Sequence, residues 1–179
     1  MTKTLQKRTE LTEQMAEYLL KFGFHQFTLR SVAQAIGTSD RMLLHYFVDK
    51  QDLLTETLTT IAKRLIAMLE SKTLPMMSVP QLVLALSGLL NHPELQKITH
   101  LWLELLVKAT REGEPYQTFA NQMMGYFLDW VEPKILPRDG ETPAIAAAQA
   151  MVMVEGLVVL NAAGRQSEVE QVLESLKRS

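Results

Sequence analysis

The chain's 179 residues are 47% hydrophobic and 21% charged with no cysteine, which excludes a mainly disordered protein, a disulfide framework and thiolate chemistry. A net charge of −2 argues against a general coating of nucleic acid. The ends differ, however: residues 1–72 carry ten basic against eight acidic side chains (+2) and the remainder eight against twelve (−4), a weak asymmetry that suits a nucleic-acid-facing amino-terminal end. No apolar run is expected to reach the roughly 18 to 20 residues of a membrane span, and the polar opening MTKTLQKRTELTEQ is not a signal segment, so a cytoplasmic protein without a membrane partner is expected.

Apolar residues recur at helical spacing and nowhere alternate with period two over a useful length, so an all-α chain of about nine helices is expected. Leu11, Met15, Tyr18, Leu19 and Phe22 describe the buried stripe of a first helix that stops at Gly23. Thr28 reads as the N-cap of a second, whose inner face is Val32, Ala33 and Ile36 and which ends at Gly37. Thr38 or Ser39 caps the third, with Leu43 and Phe47 inward and Asp40, Arg41 and His45 outward. Asp49 can cap a long fourth helix from Lys50 to about Glu70, striped by Leu53, Leu54, Leu58, Ile61, Leu65 and Leu69. Pro75 marks a loop, and Ser78 with Pro80 reads as a cap and first-turn proline. Further helices are expected at about 79–90, 93–111, 115–135, 143–163 and 166–177, separated by Asn91-His92-Pro93, Glu112-Gly113-Glu114-Pro115 and a polar turn around Asp139-Gly140.

Two short helices joined at a glycine form the layout in which the second helix enters the major groove of DNA while the first crosses the backbone. The segment Gly23 to Leu54 resembles the tetracycline-repressor (TetR) family of transcription regulators through Gly23-Phe24, Thr28, Val32-Ala33, Gly37, Ser39, Leu43, Phe47, Lys50 and Leu53-Leu54. The resemblance implies a helix-turn-helix DNA-binding domain at 1–49, joined by the long helix to a helical ligand-binding and dimerisation domain at 50–179. Carried over by matching position, Thr28 caps its helix and approaches phosphate, Arg30 reaches a base edge or the backbone, and Ser39, Asp40, Arg41, Met42 and His45 lie on the recognition helix. Lys50 meets phosphate, helped by the free amides of its helix end. Leu44 stands where the family usually has a phosphate-contacting Tyr, for which Tyr46 is a candidate substitute, and Arg41 where a small residue is common. Base preference is therefore not readable from these positions.

One recognition helix gives little affinity, so a homodimer on a palindromic or near-palindromic operator is expected. The nearly uncharged segment Pro143 to Gly164 is apolar all round, and its small residues Ala146, Ala147, Ala150 and Gly156, with Val169, Val172, Leu173 and Leu176 of the last helix, are expected to form a four-helix seam between two chains, the alternative being a central buried helix of the single chain. The resemblance further implies a small, apolar or amphipathic effector that releases a repressor. Candidate lining is Met68, Trp102, Leu103, Leu106, Met123, Met124, Phe127 and Trp130, with His100, Glu104, Asn121 and Glu155 able to orient a ligand or to satisfy one another in the core. His25, His45, His92 and His100 lack metal spacing, and no nucleophile motif or phosphate loop is present, so neither an enzyme nor a cofactor or metal site is expected. The rival is a helical interaction or scaffold protein without sequence-specific DNA binding.

Overall fold

The computed structural model describes residues 3–178, which form nine α-helices in chain order. These are α1 (Lys3–Gln26), α2 (Leu29–Ala35), α3 (Asp40–Tyr46), α4 (Lys50–Glu70), α5 (Val79–Ser87), α6 (Pro93–Glu112), α7 (Tyr116–Val131), α8 (Pro143–Ala162) and α9 (Gln166–Leu176). The ladder of α1 stops at Gly23, as its spacing predicts, and a further short turn then runs to Gln26. Gly23 has φ 70° and ψ 179°, a conformation essentially confined to glycine. Phe22, expected in the core, is 39% exposed and stacks on Tyr18 with ring centroids 4.7 Å apart.

Among the described residues a two-residue parallel bridge joins β1 (Met77–Ser78) to β2 (Ile135–Leu136), with Met77 opposite Ile135 and Ser78 opposite Leu136. The sequence carries no sign of it because two residues are too short to show a period.

The chain gathers into two compact units. One takes the chain up to Ala67 with Lys97–Met123; the other takes Met68–Gln96 with the chain from Met124 onward. In the first, Leu11, Met15, Leu19, Val32, Leu43, Phe47, Leu53, Leu58 and Ile61 are buried. Two arginines tie α1 to α4 at its edges: Arg64 pairs with Glu13 and Glu17, and Arg8 with Asp52 and Glu56. In the second, α8 packs against α5 and α9, and the β bridge lies against α5. Its buried residues include Leu82, Val83, Val131, Ile135, Ala146, Ala150, Val154 and Leu157.

Contrary to the expectation from composition, α8 is long and apolar enough to cross a membrane by length and composition alone. Its apolarity has a packing account on one side, where Ala146, Ala147, Ala150, Met151, Val154, Leu157 and Val158 are buried inside the unit. The opposite side carries Ile145, Val152 and Val159 at seven-residue intervals, 51%, 72% and 52% exposed. A shallow apolar groove of about 520 Å³ runs along it, lined by Ile145, Ala148, Gln149, Val152 and Met153.

Candidate nucleic-acid interface

The corner between α2 and α3 is built by local chemistry. Thr28, in extended backbone, caps α2 by accepting the Ser31 amide proton at 3.1 Å, and its hydroxyl lies 2.7 Å from that of Ser31. At the other end Gly37 takes φ 70°, and the Thr38 amide donates back to the Ala33 carbonyl at 2.9 Å, closing α2 with a left-handed glycine termination. Ser39 rather than Thr38 caps α3, accepting the Met42 amide proton at 3.2 Å.

Helix α3 then divides cleanly. Leu43 and Phe47 are fully buried, and their burial seats the helix in the core of the first unit. Asp40, Arg41, Met42, Leu44 and His45 are exposed, Asp40 lying in the first turn where a carboxylate suits the helix dipole. The Tyr46 ring is half-buried and meets His45 edge to face at 5.1 Å. Arg30 on α2 and Lys50 at the first position of α4 are exposed, and like Arg41 they hold no ion pair among the described residues. Arg41 and His45 thus lie on the exposed side of α3, with Arg30 on the helix before it and Lys50 at the start of the helix after it.

Of the amides at the start of α4, that of Asp52 is engaged, donating to the Asp49 carboxylate at 2.8 Å, while the Asp52 carboxylate accepts the amide proton of Val48, just before the helix, at 2.9 Å.

Sequence reasoning missed Arg8. Its guanidinium donates to the Tyr46 carbonyl at 3.3 Å, to both Asp52 oxygens at 3.0 and 3.2 Å and to Glu56 at 3.1 Å, and lies 4.9 Å from the centre of the Phe47 ring. One planar fork therefore fixes the end of α3 against the start of α4. A signal was present in the sequence, since Arg8 continues the spacing of Leu11 and Met15 and so places a charge beside a buried stripe. Arg8→Met leaves Asp52 and Glu56 without their shared cation. The expected loss is about 1–2 kcal/mol, between exposed and buried pair values; urea unfolding measures it, and Arg8→Lys should restore only part.

The residues expected at an effector pocket are divided between the two units. His100, Trp102, Leu103, Leu106 and Met123 belong to the first, where Trp102 is buried and His100 is exposed rather than enclosed. Met68, Met124, Phe127, Trp130 and Glu155 belong to the second. There Phe127 and Trp130 are in ring contact at 6.0 Å, Lys134 sits over the Trp130 ring at 4.6 Å, and the Trp130 indole N–H is buried with no hydrogen-bond acceptor among the described residues. Among the described residues no three His, Asp or Glu side chains gather as a metal site.

The expected seam residues also separate. Ala146, Ala147, Ala150 and Val169 are covered by their own chain, a correction to their expected place between subunits. Small residues signal a close helix neighbour, but here that neighbour is α5 of the same unit. Gly156 and Val172 remain exposed, and Leu173 and Leu176 are half-buried. The apolar surface that is left is the Ile145, Val152 and Val159 stripe, which sequence reasoning did not single out.

Residues 14–57 match the family model described as bacterial regulatory proteins, tetR family. No curated protein matches the chain. Among solved structures it is similar to a TetR-family transcriptional regulator from Cytophaga hutchinsonii, at 14% identity and a TM-score of 0.77, over 99% of this chain and 94% of that one. Salmonella enterica GusR is similar at 14% identity and 0.66, over 100% and 99%. A Saccharomonospora viridis protein solved in complex with choline is similar at 18% and 0.61, over 97% and 94%. At these identities the structural likenesses establish the fold.

Proposed function

We propose that the chain, whose residues 14–57 match the tetR-family model, is a DNA-binding transcription regulator of that family and works in the cytoplasm as a homodimeric repressor released by a small molecule. The observation that carries this reading is the outward edge of α3, where Ser39 caps the helix and Asp40, Arg41, Met42 and His45 are exposed while Leu43 and Phe47 are buried. Thr28, Arg30, Tyr46 and Lys50 are assigned to the flanks of that edge, where phosphate contacts set position and base contacts set sequence. The division at 49/50 is one of roles, reading of DNA before it and response and pairing after it.

The pairing surface is assigned to the Ile145, Val152 and Val159 stripe with Gly156 and Val172, exposed apolar area that a second copy would cover. Burying a Val or Ile side chain is worth roughly 1.5–3 kcal/mol, and a two-fold axis doubles each contribution. The effector is assigned to the apolar residues of the second unit on α7, Met124, Phe127 and Trp130, a reading supported by the choline found in the Saccharomonospora viridis protein. It must bind one arrangement of the dimer better than the other to have any effect.

The test is a gel shift of the full chain against a duplex it selects from a randomised pool. Saturable binding that a scrambled duplex does not compete supports the regulator; uniform, salt-sensitive binding to all duplexes supports a scaffold protein instead. Lys50→Ala should weaken binding to every sequence and reduce the slope of log K against log salt by about one unit. An unchanged slope removes Lys50 from the interface.

A further inference from the structure

Glu104 was a candidate ligand-orienting group, but its carboxylate is occupied elsewhere. It lies on α6, eighty residues from the amino-terminal helix, and accepts the backbone amide proton of Phe24 at 2.9 Å. That amide needs an outside acceptor for a structural reason. Gly23, at φ 70° and ψ 179°, turns the chain out of the α1 ladder, so the next amide cannot continue it. The carboxylate fills the space over Gly23, where a Cβ would stand 2.6 Å from both oxygens. Around this point the Phe24 ring meets Tyr116 edge to face at 5.9 Å, and Lys108 of α6 sits over the Tyr116 ring at 4.7 Å. Hydrogen bonding to Glu112 holds the Lys108 ammonium above the usual lysine range, so this cation stays charged.

The Gly23 corner leads straight into the DNA-reading helices. The Phe27 amide donates to the Phe24 carbonyl and the Thr28 amide to that of Gln26, so four residues after the clamped amide the chain caps α2. We infer that Glu104 is a positioning residue for operator binding: by capping the turn that opens at Phe24 it fixes α2 and α3 to α6, so that the angle of the reading helices follows α6. The inference rests on the DNA-binding reading above. Without the clamp the corner samples more orientations, and apparent affinity falls by the fraction still competent.

Two measurements on the full chain test it. In hydrogen exchange, Glu104→Ala should speed exchange of the Phe24 amide at least about tenfold while the amides of Met15 and Leu19 keep their protection. In a titration with the selected duplex, at a temperature where every variant is folded, Glu104→Ala should lose about tenfold in affinity and Glu104→Gln, whose amide oxygen can still accept, should recover to within about threefold. A purely structural contact predicts a lower melting temperature with unchanged affinity, and that result overturns the inference. So does equal loss in both variants, which would assign the effect to charge and not to capture of the amide. A selection that enriches no duplex defeats the DNA-binding reading instead, and unchanged exchange at Phe24 then still overturns the clamp.

Discussion

Val152→Asp should abolish the proposed pairing through α8, leaving the protein monomeric at micromolar concentration and without cooperative engagement of two half-sites. Val152 is 72% exposed in the single chain, so a carboxylate there costs the subunit little. In a seam formed by α8 it becomes buried with its symmetry mate close by. A polar group buried without a partner costs at least about 2 kcal/mol and a charge more; two copies give about 4 kcal/mol, on the order of a thousandfold weaker self-association. Sedimentation equilibrium reads the change directly, and circular dichroism should show an unaltered helical subunit. A Val152→Asp protein that remains dimeric moves the seam off this face. The contrasting substitution is Ala150→Asp, which enters a position already covered by the chain itself and should unfold the subunit instead of dissociating it.

Gly23→Ala should lower stability by about 1–3 kcal/mol, the cost of holding a side-chain-bearing residue in a glycine-only conformation. For a chain of this length each kcal/mol corresponds to roughly 2–4 °C in melting temperature. The dihedral strain is only one component, since the added methyl also displaces the Glu104 carboxylate from Phe24. A double-mutant cycle separates the two. In a Glu104→Ala background the same substitution should cost less, because the steric conflict has gone and the backbone strain has not. Equal costs in both backgrounds would show that the flexible carboxylate moves aside freely. Alanine tolerated at Gly23 without loss would mean that α1 can run straight through it.

What could be read from the sequence was local. Thr28, Gly37, Ser39 and Asp49 act within a few residues of themselves, so caps and terminations identified α2, α3 and the start of α4, and Leu43 with Phe47 followed from helical spacing. What could not be read was pairing across the chain. Ala146, Ala147 and Ala150 announced a close neighbour without saying whether it belonged to the same subunit. Arg8 and Glu104 act on backbone groups 38 and 80 residues away, and such partners leave no periodic trace. Phe22 kept the spacing of a core residue yet lies at the surface against Tyr18, because spacing marks a face without saying how far along the helix that face is covered.

The capping hydroxyls and carboxylate of Thr28, Ser39 and Asp49 are already bonded in the free chain. Docking onto a duplex therefore orders side-chain tips and displaces counterions without having to fold a helix first. The entropic penalty that burdens segments which become structured only on association is absent here. Calorimetry should accordingly show a heat-capacity change no larger than the contact area alone accounts for.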